Sequence, residues 1–243
     1  MIIAFYIIPL LITFSVLGYG FLFIRTLNFK NDILNFGLLG ILGLFSLSII
    51  SSLSHFFFPH NYIHNILLII FGLIFLAVFG KNNKQILVKY LKFLLIIFTL
   101  LFIAFVLSKT NEDYSYYHLP NSLQFSQQKL QFGLGNLNHG FKHISSLFML
   151  KSINYLPFFD HYFFNLTNFI FLVFFIQFAV IEIYYRRKFN YNFSQILLFF
   201  FLILYLVKFS RIAEYGTDLS GQILIAMYLF FISEVIFNNK LKK

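Results

Sequence analysis

The chain has 243 residues, of which 60% are hydrophobic and 11% are charged, so it is not an ordinary soluble domain, which carries about a quarter charged residues. It contains no cysteine, which excludes disulfides, thiolate metal sites and a cysteine nucleophile. The net charge of +10 comes from short basic clusters beside apolar runs, a pattern that indicates membrane orientation rather than nucleic-acid binding.

Apolar runs long enough to cross a bilayer as helices recur along the chain. The first run, MIIAFYIIPLLITFSVLGYG, has no basic segment before it and no evident cleavage site, so we interpret it as a retained span rather than a signal peptide. The sequence therefore predicts an all-α, polytopic transmembrane helical bundle of about seven spans. The predicted spans are residues 2–24, 34–54, 62–80, 89–108, 162–184, 194–210 and 221–238.

One long connection divides the predicted spans into two groups. Residues 1–108 are expected to form a four-span bundle, and residues 162–243 a three-span bundle. Residues 109–161 are expected to form an extracytoplasmic cap that carries the candidate site. Connections of this length are usually functional or disordered, and this one keeps many aromatic and aliphatic side chains. We therefore expect a folded cap of short interfacial helices, with a re-entrant segment as the alternative.

The distribution of basic residues predicts the orientation. With seven spans, most of the 18 basic residues follow spans 1, 3, 5 and 7 and so share one side. The positive-inside rule then places the N-terminus outside and the C-terminus in the cytoplasm, with the chain in the cytoplasmic (inner) membrane. All seven histidines and five of the eight acidic residues fall on the outer side. We expect any chemistry on that extracytoplasmic face.

The first connection on the outer side is rich in histidine. The segment SHFFFPHNYIH (54–64) contains His55, His60 and His64. His60 and His64 are four residues apart and would share one helical face, a spacing able to hold zinc. Because the chain lacks cysteine and an HExxH motif, we predict no metal site here.

The stretch NEDYSYYHLP (111–120), which follows span 4, carries the strongest catalytic candidates. Asp113 and Glu112 are crowded by tyrosines, and partial desolvation raises the pKa of a carboxylate and makes it a better base near neutral pH. The alternative is an interfacial acid that balances Lys109 beside an ordinary aromatic belt. His118 could orient the carboxylate, donate to a phosphate or bind a metal; the alternative is a hydrogen-bonded structural histidine.

Two short helices are predicted within the cap. Pro120 is expected to open the first at its first turn, and the glycines of GLGN (133–136) to end it. The second, FKHISSLFMLKS (141–152), places apolar residues such as Phe148 on one face. Its polar residues, including Lys151, are expected to lie largely elsewhere. Such a helix would lie flat on the membrane surface.

The segment GLGNLNHGFKHISS (133–146) combines glycines with amide and cationic side chains. Glycines permit tight turns whose backbone N–H groups can hold phosphate oxygens, and Asn136, His139 and Lys142 suit a sugar or a phosphate. The spacing matches neither a P-loop nor a dinucleotide-binding fingerprint. The alternative is an ordinary glycine-rich loop before a helix.

The segment RIAEYGTDLSGQ (211–222) enters the last span. Arg211 could hold a phosphate with its planar guanidinium group, and Asp218 would lie near the same ligand. The alternative is an interfacial network in which Arg211 and the neighbouring acids neutralise one another.

Three segments together, EDYSYYHLP, GLGNLNHGFKHISSLF and EYGTDLSGQIL, resemble a group of uncharacterised bacterial multi-span membrane proteins with a DxxxYHLP-like outer loop. These proteins also share a GL-x-N-L stretch and a later TD-L-x-x-Q segment, and the resemblance covers about residues 105–225. The group is similar in turn to GT-C glycosyltransferases, which use polyprenyl-phosphate sugars, in span count, loop position and acidic loop motif.

The GT-C resemblance implies roles for the candidates. Asp113 would act as the base or metal-assisted orienter for the acceptor, with Glu112 in reserve. His118, Lys142 and Arg211 would hold the donor phosphate. The implied partners are the lipid bilayer and a polyprenyl-phosphate-linked sugar, with no nucleic acid. No cofactor is certain from these motifs, and a divalent metal stays open.

The function expected from this resemblance is a GT-C-like integral membrane glycosyltransferase that moves a sugar from a polyprenyl-phosphate donor to an acceptor on the extracytoplasmic face. The alternative is a non-catalytic component of cell-envelope glycan synthesis, either a flippase or an assembly partner. A transporter would need polar groups at mid-span, and the sequence supplies few. GT-C enzymes have the acidic loop after span 1 and eleven or more spans. We therefore expect a fragment, a truncated gene or a degenerate member.

Overall fold

The computed structural model describes residues 2–28, 35–81, 84–107, 112–137, 139–142, 145–186, 193–207 and 216–238. Within these residues the chain is helical and contains no β-strand, which confirms the predicted all-α polytopic bundle. The helices are α1 (Ile2–Thr26), α2 (Phe36–His55), α3 (Tyr62–Gly80), α4 (Lys84–Val106), α5 (Leu119–Gln127), α6 (Leu134–Leu137), α7 (Ser146–Ser152), α8 (Leu166–Arg186), α9 (Phe193–Val207) and α10 (Asp218–Asn238).

Six of the described helices are long and apolar enough to cross a membrane, and they include α1 to α4, α8 and α10. The chain is therefore a multi-pass membrane protein. Helix α9 has 15 residues and is about 22 Å long. Near its start Ser194 donates to Glu234 at the far end of α10, and near its end Tyr205 donates to the carbonyl of Gln222, 2.8 Å away. Helix α9 thus runs antiparallel to α10 and returns the chain along the bundle.

The long helices alternate in direction, which brings the cap to one end of the bundle. The ring of Phe5 at the start of α1 packs against Phe105 at the end of α4 and against Phe163 just before α8. At the opposite end, Asn35 before α2 donates to Glu182 near the end of α8, 3.0 Å away. We call these the cap end and the opposite end.

Helix α8 is the centre of the bundle. It packs against α2, α4, α9 and α10. The side chains of Phe169, Phe174, Phe175 and Phe178 on this helix are buried. Lipid tails are as apolar as these rings, so association of helices in a membrane depends on close packing rather than on hydrophobic exclusion from water.

Glycines lie where the backbones of neighbouring helices approach each other closely. A Cβ added to Gly18 of α1 would lie 1.8 Å from the carbonyl oxygen of Gly72 in α3. A Cβ added to Gly37 of α2 would lie 2.1 Å from the backbone nitrogen of Phe178 in α8. The obstructing atoms are backbone atoms, which cannot rotate away. Small residues at these crossings are the usual device for close packing of membrane helices.

Gly18→Ala is expected to destabilise the bundle by about 1–3 kcal/mol, because overpacking a close contact forces the backbones apart. The measurement is the thermal unfolding midpoint of the purified protein in detergent. The matched control is Gly221→Ala in α10, where nothing lies within 4 Å of the added Cβ. Equal unfolding midpoints for the two variants would contradict the proposed α1–α3 contact.

Candidate functional site

The stretch NEDYSYYHLP forms a widened helical turn. Residues Tyr114–His118 are π-helical and continue directly into α5, with the backbone N–H of Leu119 bonded to the carbonyl of Tyr114. Pro120 lacks an N–H and its ring would clash with the carbonyl four residues before it, which accounts for the widening. Such turns are frequent at functional sites. The predicted helix at Pro120 is present, but it ends at Gln127, before the glycines.

The widened turn brings together four side chains that we call the acid–tyrosine–lysine cluster: Asp113, Tyr117, Lys151 and Asp218. The hydroxyl of Tyr117 is hydrogen-bonded to Asp113, and the charges of Asp113 and Asp218 both act on it. Burial first, and then these two charges, raise the pKa of the Tyr117 hydroxyl above its usual value. Asp113 and Asp218 are themselves exposed, and so is Glu112, so the partial desolvation expected for Asp113 and Glu112 was wrong. Two candidate acids separated by more than one hundred residues in sequence therefore lie close enough to one phenol for their charges to act on it.

Lys151 lies beneath the exposed acids of the cluster, with a side chain only 1% exposed. Its Nζ donates to the carbonyl of Gly216 over 2.7 Å and lies 5.6 Å from the centre of the Phe148 ring. Burial lowers the pKa of Lys151 to about 7, and the charge of Asp218 opposes this shift. The cluster thus contains an amine that titrates near neutral pH.

The expectation that Lys151 lies off the apolar face was wrong. The predicted helix 141–152 exists only as α7, and the 3₁₀ turn His139–Lys142 precedes it. Within α7, Lys151 is three residues after Phe148 and so lies on the same face. The helical spacing was a signal for its burial, but a lysine on an apolar stripe is easily assigned to solvent.

Gly216, two residues before α10, is hydrogen-bonded to α7 and α8. Its carbonyl also accepts from Asn168 Nδ2 of α8 over 2.5 Å, and the Ser220 hydroxyl donates to Asn168 Oδ1 over 2.6 Å. These bonds hold Asp218 in place beside α7 and α8. Arg211, the predicted phosphate ligand, lies outside the described residues.

The other predicted catalytic residues occupy different surroundings. Glu112 is exposed at the start of the widened turn. His118 is only 5% exposed, and its ring contacts those of Tyr117 and Phe148 at centroid distances of 4.3 and 5.4 Å. The buried His118 ring therefore packs against the Tyr117 ring of the cluster.

The predicted binding residues Asn136, His139 and Lys142 are exposed in α6 and the 3₁₀ turn. This turn adjoins the widened turn, because Asn121 Nδ2 donates both to the carbonyl of Tyr117 over 2.8 Å and to that of Gly140 over 3.2 Å. The structure therefore places the glycine-rich segment beside the helix that carries Asp113.

A cavity of about 200 Å³ lies between α5, the end of α2 and the glycine-rich segment. Its lining includes the amides of Asn121 and Gln131 and the rings of Phe125 and Phe141. Because Asn121 also bonds to the carbonyl of Tyr117, the cavity lies close to the widened turn.

The three histidines of residues 54–64 form a stack. The ring of His60 lies 4.8 Å from that of His55 and 4.9 Å from that of His64. Both nitrogens of His60 are engaged, Nδ1 with the Ser152 hydroxyl at 2.6 Å and Nε2 with the carbonyl of Ser51 at 3.0 Å. In the part of the chain that the structure describes, no group of three or more histidine and acidic side chains could hold a metal ion.

The histidine stack joins the cap to α2 and α3. The backbone N–H of His60 donates to Phe125 of α5 over 2.9 Å, and that of Leu130 donates to the carbonyl of His55 over 3.0 Å. Asn65 Nδ2 donates to the carbonyl of Ser152 over 2.9 Å. Docking of the cap thus depends on contacts in and around this stack.

Lowering the pH is expected to weaken the packing of the cap against α2 and α3. Burial, and then the neighbouring His64 and His55, lower the pKa of His60 from 6.5 to about 3. Between those values the unfolded chain binds a proton that the folded chain excludes. The contribution of His60 to the free energy of unfolding is therefore fully present above pH 6.5. At lower pH it decreases by up to about 1.4 kcal/mol for each pH unit.

The measurement is the unfolding midpoint between pH 7.5 and 5, compared with that of His60→Gln, whose amide does not titrate. As the pH is lowered, the unfolding midpoint of His60→Gln is expected to decrease less than that of the wild type. The control is His139→Gln, which removes an exposed histidine. Identical pH dependence in the wild type and His60→Gln would disprove the role of His60.

A family model described as a domain of unknown function, DUF8201, matches residues 1–243, and the chain belongs to that family. No curated protein and no solved structure matches the chain. The family match covers the cap together with both groups of helices, so all three segments that form the acid–tyrosine–lysine cluster lie within it.

Proposed function

We propose that this protein is a GT-C-like membrane glycosyltransferase, which moves a sugar from a polyprenyl-phosphate donor to an acceptor hydroxyl on the extracytoplasmic face. The observation that carries the proposal is the placement of two exposed acids at the cap end, Asp113 hydrogen-bonded to the Tyr117 hydroxyl and Asp218 near enough for its charge to act on it. The resemblance of the loop motifs to GT-C enzymes supports the same reaction.

Asp113 is the proposed general base. It is exposed, so an acceptor hydroxyl can reach it, and its hydrogen bond with Tyr117 fixes its orientation. In the proposed step, Asp113 takes the proton from the acceptor hydroxyl, and the acceptor oxygen forms a bond to the anomeric carbon. The bond between that carbon and the phosphate oxygen breaks, and the phosphate leaves with the electron pair.

Cationic groups are proposed to stabilise the leaving phosphate. Lys142 is exposed in the turn beside Asp113's helix, and His139 is exposed in the same turn. Arg211 is also proposed to bind this phosphate, the role predicted from the sequence. Lys151 is buried, and its proposed role is to hold the start of α10, and with it Asp218, rather than to bind the phosphate.

The cavity beside α5 is the proposed site for a sugar ring. Sugars combine hydroxyl groups with an apolar face, and the cavity offers the exposed amide of Gln131 together with the rings of Phe125 and Phe141. The exposed amide of Asn136 lies near the same segment and is the proposed contact for a second sugar hydroxyl.

Asp113→Asn is expected to reduce transfer by about 100- to 10,000-fold, because this is the usual contribution of a general base. The measurement is transfer of a radiolabelled sugar from a polyprenyl-phosphate donor by protein in proteoliposomes. The isosteric control is Glu182→Gln at the opposite end, where the new amide oxygen can still accept from Asn35. Full turnover by Asp113→Asn would refute the base assignment. Donor binding without transfer by the wild type would favour a non-catalytic component.

The proposed orientation places the cap outside the cell, since the opposite end carries the denser basic residues. As the chain has no native cysteine, single-cysteine variants report on each end separately. Asn136→Cys in the exposed cap is expected to react with a membrane-impermeant thiol reagent on intact cells, and Lys81→Cys at the opposite end only after permeabilisation. Labelling of Lys81→Cys alone in intact cells would reverse the orientation and exclude the proposed donor.

A further inference from the structure

The two most lipid-exposed helices leave a groove between them at the opposite end. Helix α3 packs against α1, whereas α4 packs against α8. The two approach each other at Gly80, where an added Cβ would lie 2.5 Å from a methyl carbon of Leu87. Toward the membrane centre they diverge around a groove of about 370 Å³.

The wall of this groove is aliphatic. It is lined by Leu73, Leu76 and Ala77 of α3 and by Leu87 and Leu91 of α4. The groove has more than twice the volume of a cavity of about 150 Å³ that accommodates benzene, which is room for part of an acyl chain. Neighbouring residues such as Ile74, Val78 and Val88 are exposed, so the groove opens to the side, toward lipid.

The mouth of the groove is basic. Lys81 lines it and is exposed. Lys89 and Lys92 are also exposed, on other faces of the first turns of α4. The sequence KNNKQILVKYLK (81–92) contains four lysines and no acidic residue, so no acid within this segment neutralises them. A ligand that matches both parts has an apolar chain and an anionic head.

We infer that the groove between α3 and α4 is a binding site for an anionic phospholipid of the leaflet at the opposite end. The acyl chain lies along the aliphatic wall, and the phosphate group lies at Lys81. Juxtamembrane lysines attract anionic headgroups in this way, and basic pockets between transmembrane helices bind them. The inference is independent of the reaction proposed at the cap end.

The test uses the full chain in dodecylmaltoside, with native mass spectrometry to count bound lipid. Dioleoyl-phosphatidylglycerol is expected to bind and to raise the unfolding midpoint more than dioleoyl-phosphatidylcholine. Lys81→Gln is expected to reduce phosphatidylglycerol binding about fivefold, the effect of one lysine near a lipid surface, and to leave phosphatidylcholine binding unchanged. Lys129→Gln makes the same charge change on an exposed side chain at the cap end and should have no effect.

A second variant tests the groove itself. Ala77→Phe places a ring in the groove from an exposed position and should reduce binding of both lipids. Glycerol phosphate, which carries the head without the chains, is expected not to stabilise the protein. Equal binding of the two phospholipids, unchanged binding by Lys81→Gln, or equal stabilisation by glycerol phosphate would each overturn the inference.

Discussion

The carbonyl of Gly216 is the point on which the arrangement of the cap end depends. It accepts hydrogen bonds from Lys151 of α7 and Asn168 of α8, and it directly precedes α10. Three segments far apart in sequence therefore share one backbone oxygen. Burying a lysine is costly, and the lowered pKa of Lys151 expresses that cost. The benefit is that Asp218, two residues after Gly216, is held where its charge acts on Tyr117.

The described acidic side chains differ in exposure between the two ends of the bundle. At the opposite end the acids of the helices are engaged, Glu182 with Asn35 and Glu234 with Ser194. At the cap end Asp160 is likewise engaged, by the Tyr62 hydroxyl at 2.5 Å, whereas Asp113 and Asp218 keep exposed side chains while their charges act on Tyr117. An engaged interfacial acid stabilises helix packing, whereas an exposed acid beside a hydroxyl is available to a ligand. This difference is the physical reason to seek chemistry at the cap end.

The long helices were predictable because their apolar runs are intrinsic to the sequence and must satisfy their backbone hydrogen bonds internally in lipid. The widened turn at Tyr114–His118 and the burial of Lys151 were not predicted, since both arise from how short segments meet their neighbours. Periodicity alone divided 141–152 into an apolar and a polar face. It could not show that α10 begins beside that helix and removes the lysine from water.

The cluster could be assembled only in three dimensions. Asp113 was a strong candidate from its local sequence, and Asp218 was a weak one, but no spacing rule joins residues so far apart. What joins them is the alternation of the helices: α4 ends, and α8 and α10 begin, at the same end of the bundle. Asp113 follows α4 closely and Asp218 is the first residue of α10, so both lie at the cap end of the bundle. Helix direction, rather than any local motif, therefore brings the two acids to one end of the bundle.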